Sequence, residues 1–310
     1  MGRIWKVASA RLISAEFAAP MMLEGVAVLL LLAVALAWIR WRPPPLTRLR
    51  PYDCAVLVTG AGRGIGRALS LALADEGWTV FAAVRERTDC VEIEQMRSSR
   101  LVPVLLDVTD PAQIDAAVQT VEGHLNAAGL RFGGVVCSAR VDPEAVSSPG
   151  YGSMASAWTV GRAILEANVL GAAALVRTFL PLLRADRGRV VLVGSHFGSV
   201  AGGIGESHIF HEVGAAAVEA LADGLRRGLQ RSEGVGVSLI KAGNIRTGSD
   251  CRGEDDAGVM LWPLRHALTS PRPRSRYYAG RVKGLSCRVV CAMFDLLPDW
   301  ATDHLAPQYC

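Results

Sequence analysis

Residues 59–66 read Thr-Gly-Ala-Gly-Arg-Gly-Ile-Gly. Glycines at 60, 64 and 66 allow a tight turn and a close backbone approach. A helix starting there offers unpaired N–H groups, and together these features suit a pyrophosphate. The spacing is G-x-x-x-G-x-G, because position 67 is Arg, so the G-x-G-x-x-G template fits poorly. The same glycines would also serve a purely structural turn. Arg63 lies inside the loop and Arg85 follows a later apolar run ending at Val84. An acidic side chain at that strand end would accept ribose hydroxyls, whereas guanidinium groups bind a phosphate bidentately. The pair therefore points to a 2′-phosphate and NADP(H) rather than NAD(H), with two solvated arginines as the plain alternative and Glu86 as a nearby opposing charge. His196, His208 and His211 fall close together. Such closeness suits a metal cluster or a plain polar loop, and no metal is expected.

These groups need elements to hold them. Short apolar runs at 55–59, 79–84, 102–106, 134–137, 189–193 and 235–240 read as strands. Between them, 66–76, 114–125, 163–183 and 214–230 carry helical periodicity. Steady alternation of strand and helix implies a parallel sheet covered on both faces, a doubly wound α/β domain. The glycine loop then falls between the first strand and the first helix, where a nucleotide site belongs.

The chain has 310 residues, 51% of them hydrophobic, which excludes global disorder. Thirty-three basic residues against 29 acidic give a net charge of +4, too little and too scattered for a nucleic-acid partner. Only Lys6, Lys241 and Lys283 are lysines. Seven cysteines, with no CxxC pair, favour a reducing environment over a disulfide framework. Residues 21–39 are apolar except for Glu24, long enough to cross a bilayer. Trp38, Trp41, Arg40 and Arg42 suit the interface, and Pro43, Pro44 and Pro45 end the helix. A cleaved signal or a buried helix are the alternatives to a retained single-pass anchor, and the Arg-bearing opening also fits mitochondrial targeting.

The loop TGAGRGIG, Asp107-Val108 after the third strand, Asn168 in ANVLGAAALVRTFLPLL and Ser195 in GRVVLVGSHFG follow one another in order. With AAAVEALADGLRRGL (215–229) and VSLIKAGNIRT (237–247) they resemble the short-chain dehydrogenase/reductase family, over about 54–248. The tail HALTSPRPRSRYYAG (266–280) is similar to the membrane-associated hydroxysteroid, retinol and hydroxybutyrate dehydrogenase branch. The resemblance implies a Rossmann-like fold preceded by one transmembrane helix. It implies cofactor contacts from Gly60, Arg63, Gly64, Ile65, Gly66, Arg85, Asp107, Val108 and Thr247, and catalytic places at Asn168 and Ser195. It also implies a lipophilic alcohol or carbonyl substrate, a homodimer or a heterodimer with a relative, and a membrane location, the endoplasmic reticulum ahead of the mitochondrion. The expected divisions are an N-terminal segment 1–20, an anchor 21–42, a Pro-rich linker 43–53, the nucleotide domain 54–248, and a short lid and tail 249–310.

The family's Tyr-x-x-x-Lys occurs nowhere in this chain. Running back from 215–229 puts His211 in the Tyr place and Ala215 in the Lys place, whereas counting forward from Ser195 gives His208 and Glu212. The first needs no gap in the helix. A His with a reference pKa near ~6.5 is a competent acid/base without a lysine. Cys137-Ser138-Ala139-Arg140 replaces the family's Asn-Asn-Ala-Gly, placing a bulky cation beside the cofactor, and the lid is short, with an acidic patch at 254–256. Two readings follow: an oxidoreductase with His211 as substitute base, or an inactive nucleotide-binding or scaffold homologue.

Overall fold

The computed structural model describes residues 28–34, 45–141, 154–200, 206–246 and 253–309. The chain divides at Pro44/Pro45 into two units. In the first, residues 28–34 are helical with every side chain exposed; the rest of the expected anchor lies outside the described residues. Among those described, Trp158–Asp186 is the one helical stretch long and apolar enough to span a bilayer. It carries core side chains such as Leu175 and Phe179.

The second unit is built on seven parallel strands in the order β3-β2-β1-β4-β5-β6-β7. They are β1 (Cys54–Thr59), β2 (Thr79–Val84), β3 (Leu101–Leu105), β4 (Arg131–Cys137), β5 (Arg189–Ser195), β6 (Gly236–Ala242) and β7 (Arg276–Ala279). Strands β1, β2, β5 and β6 are buried along their whole length, which is why they read as continuous apolar runs rather than alternating ones. Alternation decides the layer instead: Ala55 and Leu57 face one core, and Cys54, Val56 and Val58 the other. Helices α1 (Gly64–Asp75), α2 (Arg87–Gln95) and α3 (Pro111–Ala128) connect the first four strands. Leu69 and Leu73, one turn apart on α1, are almost fully buried, each contributing about 1.5–3 kcal/mol. Asp110 caps α3 by accepting from the Ala112 and Gln113 N–H groups, and Gly129 ends it in the left-handed region.

The helix expected at 163–183 is three pieces: α4 (Met154–Leu165), a π-helical turn Glu166–Gly171, and α5 (Ala172–Asp186). The helix expected at 214–230 begins earlier, as α6 (Glu206–Ser232), and so carries both His208 and His211. The region expected to be lid and tail holds α7 (Leu261–Thr269), the seventh strand, a small hairpin, α8 (Cys287–Leu296) and α9 (Asp299–Tyr309). The acidic patch there is structural. Glu254 accepts from the Gly284 N–H at 2.7 Å, Asp255 pairs with Arg281 at 3.0 Å, and Asp256 caps a short turn through the Gly258 N–H.

Candidate active site

In a parallel sheet every strand ends on the same edge, so the loops after β1, β2, β4 and β5 gather there. The loop after β1 is held closed by Thr59, whose Oγ1 accepts the N–H groups of Ser138 at 3.1 Å and Ala139 at 3.0 Å. Gly60 has φ +70°, and a Cβ there would sit 2.9 Å from the Ala139 Cα. A Cβ on Gly66 would sit 2.2 Å from the Gly60 carbonyl oxygen. The turn therefore requires glycine for conformation at one position and for close approach at the other. Arg63 flanks α1 in an extended conformation and makes no side-chain cap, leaving the first helical N–H groups for an anion. These residues fit the pyrophosphate of a dinucleotide.

Arg63 and Arg85 are both exposed. Arg85 stands 3.9 Å from Glu86, and Asp89 on α2 reaches to 2.3 Å from where a Gly62 Cβ would be. Asp89 is thus a second acidic group beside the two arginines, one the sequence reading did not weigh. Asp107 Oδ1 accepts from the Thr109 N–H and hydroxyl, which turns the chain after β3. Val108 is buried against Gly171. Thr247 lies outside the described residues.

Asn168 is buried within the π-helical turn, and its Oδ1 accepts the Val141 N–H at 2.8 Å. It therefore anchors the segment that follows β4. Ser195 ends β5, is buried, and accepts weakly from the Phe197 N–H at 3.4 Å. The Phe197 ring lies edge-on to His211 with centroids 5.0 Å apart, which brings α6 to the end of β5. Arg140 reaches the same ring, its Nη2 being 3.4 Å from His211 Nε2. Beneath them Arg140, Asn168, Ala215 and Cys137 line a cavity of about 10 Å³, room for about one water. Burial pushes the Cys137 thiol up to about 12, so it stays protonated. Of the two registers, the first puts its histidine, His211, at this edge, with Ala215 on the cavity one turn along α6; the His208 side chain lies outside the described residues.

Two residues named in the sequence, Lys241 and His196, are buried and paired in ways the sequence reading did not anticipate. Lys241 on β6 is 1% exposed, donates to Ser199 Oγ at 2.6 Å and stands 2.5 Å from Glu219 Oε1. His196 is equally buried, with Nδ1 3.2 Å from the Ala242 carbonyl oxygen. Neither contact is local in sequence, so no spacing announces it.

A seven-stranded doubly wound sheet with a glycine loop at its carboxyl edge defines a nucleotide-binding α/β domain. The short chain dehydrogenase model matches residues 54–256, and the chain belongs to that family. It is similar to human retinol dehydrogenase 5, 32% identical over 221 residues, covering 70% of this chain and 65% of that protein. It is also similar to human 17-beta-hydroxysteroid dehydrogenase type 6, 33% identical over 268 residues, covering 74% and 81%. Among solved structures, a short chain dehydrogenase from Burkholderia cenocepacia J2315 in complex with NADP superposes with a TM-score of 0.64 at 22% identity, covering 84% of this chain and 99% of that one. The match to retinol dehydrogenase 5 thus spans a little under two thirds of that relative's length.

Proposed function

We propose that this protein is an NADP(H)-dependent oxidoreductase acting on an alcohol or carbonyl of a lipophilic, steroid- or retinoid-like substrate, anchored in a membrane by residues 21–42. The observation that carries the reading is the convergence of His211, Arg140 and Ser195 on one edge of the sheet, beside a glycine turn shaped for a dinucleotide. A bound nicotinamide dinucleotide supplies the hydride acceptor or donor. Gly60, Gly64, Ile65 and Gly66 form its phosphate turn, Arg63 and Arg85 its 2′-phosphate contacts, and Asp107 and Val108 its adenine end, with Thr247 beyond the described loop. The Ser195 hydroxyl holds the substrate oxygen, and the His211 ring takes or returns that oxygen's proton. Asn168 acts on the segment after β4 rather than on the substrate. The names of the retinol and hydroxysteroid relatives support the substrate class. Exposed Trp158, Ile209 and Val213 on α4 and α6 suit a second subunit of this or a related chain.

A second reading, an inactive nucleotide-binding or scaffold homologue, is favoured by Ala215 lining so small a cavity where the family carries its lysine. Calorimetric titration of the full chain in detergent with NADPH and NADH separates the two, followed by a retinoid and steroid turnover screen. NADPH bound more tightly than NADH, with turnover that His211→Ala lowers by about 10²–10⁴-fold, is the expected result. Cofactor binding without turnover of any substrate would leave the scaffold reading standing.

A further inference from the structure

The edge of the sheet opposite the glycine loop carries a different chemistry. Residues that precede the strands gather there: 48–53 before β1, Glu76 before β2, Arg100 before β3, and Arg265 and Thr269 at the end of α7 before β7. Arg48, Leu49, Arg50, Pro51, Glu76, Arg265 and Thr269 line a cleft of about 580 Å³. Arg48 and Arg50 are exposed and make no ion pair among the described residues. Glu76 is already committed to Arg265, whose Nε it accepts at 3.0 Å. The cleft thus keeps two uncompensated guanidinium groups over a buried floor that includes Leu49. Beside it Tyr52 is 67% exposed, with the Arg100 guanidinium 5.0 Å from its ring centroid. An exposed aromatic next to arginines is the composition of a bilayer interface.

We infer that this cleft binds the headgroup phosphates of anionic phospholipids, so that the domain rests on the bilayer by its strand-start edge and holds its catalytic edge away from the headgroups. The inference rests on the anchor reading above. Arg40, Arg42, Arg48 and Arg50 fall within eleven positions directly after the apolar segment, the pattern that reads anionic lipid. Arg48 follows Ile39 by nine positions, a reach of at most about 32 Å. Guanidinium groups donate two parallel hydrogen bonds to a phosphate, and an anionic surface adds the net attraction that a zwitterionic one lacks.

The test uses the full chain purified in micelles doped with phosphatidylserine or phosphatidylcholine, with the retained lipid quantified. The wild-type protein should retain phosphatidylserine preferentially. Arg48→Ala and Arg50→Ala should each lower that preference about fivefold, with unchanged melting, while Arg48→Lys/Arg50→Lys keeps most of it. Equal retention of both lipids by the wild-type chain overturns the inference. So does displacement of phosphatidylserine by millimolar inorganic phosphate, which would identify a soluble phosphate ligand. Alkaline carbonate extraction tests the anchor separately: release of the chain refutes the anchor, while persistent phosphatidylserine preference would still support the cleft.

Discussion

Arg140 Nη2 and His211 Nε2 lie 3.4 Å apart although 71 positions separate them in the chain. In the proposed register Arg140 takes the place of a family glycine and His211 that of the family tyrosine, so two departures from the family pattern would meet in one contact. The guanidinium touches the ring that also meets Phe197, and a guanidinium can only donate, so in this contact Nε2 would act as the acceptor.

If the two side chains act as a unit, their losses should not add. His211→Ala is expected to lower kcat/KM by about 10²–10⁴-fold, and Arg140→Leu by a smaller factor. The double variant should be no slower than His211→Ala alone. Steady-state kinetics of the four proteins measure this directly. A faster Arg140→Leu enzyme would show that the guanidinium obstructs the site.

Much of this arrangement was legible in the sequence, and the exceptions have physical causes. Strands β1, β2, β5 and β6 are buried on both faces, so their apolar runs announce them. β7 was missed because its four residues, Arg-Tyr-Tyr-Ala, are flanked by a Pro- and Arg-rich stretch and buried only at alternate positions. α2 was missed because Ile93 is its only buried residue, which leaves no apolar stripe to count. At the site, the glycine loop could be read from its glycines together with their place between a strand and a helix. The approach of Asp89 to Gly62, of Arg140 to His211 and of Glu219 to Lys241 depends on how the sheet folds, and composition carries no trace of it.

Asp89 bears on the cofactor. Its carboxylate lies against the loop that also holds Arg63, where it would repel a 2′-phosphate and favour free ribose hydroxyls. Asp89→Asn should therefore raise NADPH affinity several-fold (about 1 kcal/mol of relieved repulsion) and leave NADH nearly unchanged. Calorimetric titration with both cofactors checks it, and equal gains for the two would remove Asp89 from the selectivity argument.

The loop glycines differ in what they tolerate. A Gly66 Cβ meets backbone at 2.2 Å, whereas a Gly62 Cβ meets the Asp89 carboxylate, the movable end of a side chain. Gly66→Ala should cost about 1–3 kcal/mol and abolish cofactor binding, while Gly62→Ala should stay within about 0.5 kcal/mol. Urea denaturation of both variants gives the comparison, and equal costs would mean the loop yields at Gly66.

Asp255 sets a pH dependence. The Arg281 guanidinium, together with the Arg281 N–H, holds its carboxyl below the usual carboxylate range. A carboxyl depressed in the folded state contributes stability above its unfolded pKa of ~3.9, and that stability is lost as the pH falls through the folded value. The wild-type Tm should therefore drop steeply below about pH 4, and Asp255→Asn should flatten that drop while lowering Tm at neutral pH. Identical acid limbs for the two proteins would rule the pair out.

Lys241 and Glu219 form the most deeply buried ion pair described, at 2.5 Å with Lys241 donating also to Ser199. The pair ties β6 to α6 just beyond the turn that follows Ser195. Removing one partner strands the other charge away from water, which typically costs 3–5 kcal/mol, whereas replacing both with apolar side chains is often neutral. Lys241→Met should fall near the lower end, about 3 kcal/mol, because Arg276 Nε remains 3.7 Å from Glu219 Oε2. Lys241→Met/Glu219→Leu should recover most of that loss in urea denaturation. Because the pair holds α6 in place, Lys241→Met should also lower kcat with little change in cofactor affinity, and the double variant should recover part of the rate along with the stability. A double variant as unstable as the single one would show that the lysine stabilises the fold through Ser199 rather than through Glu219.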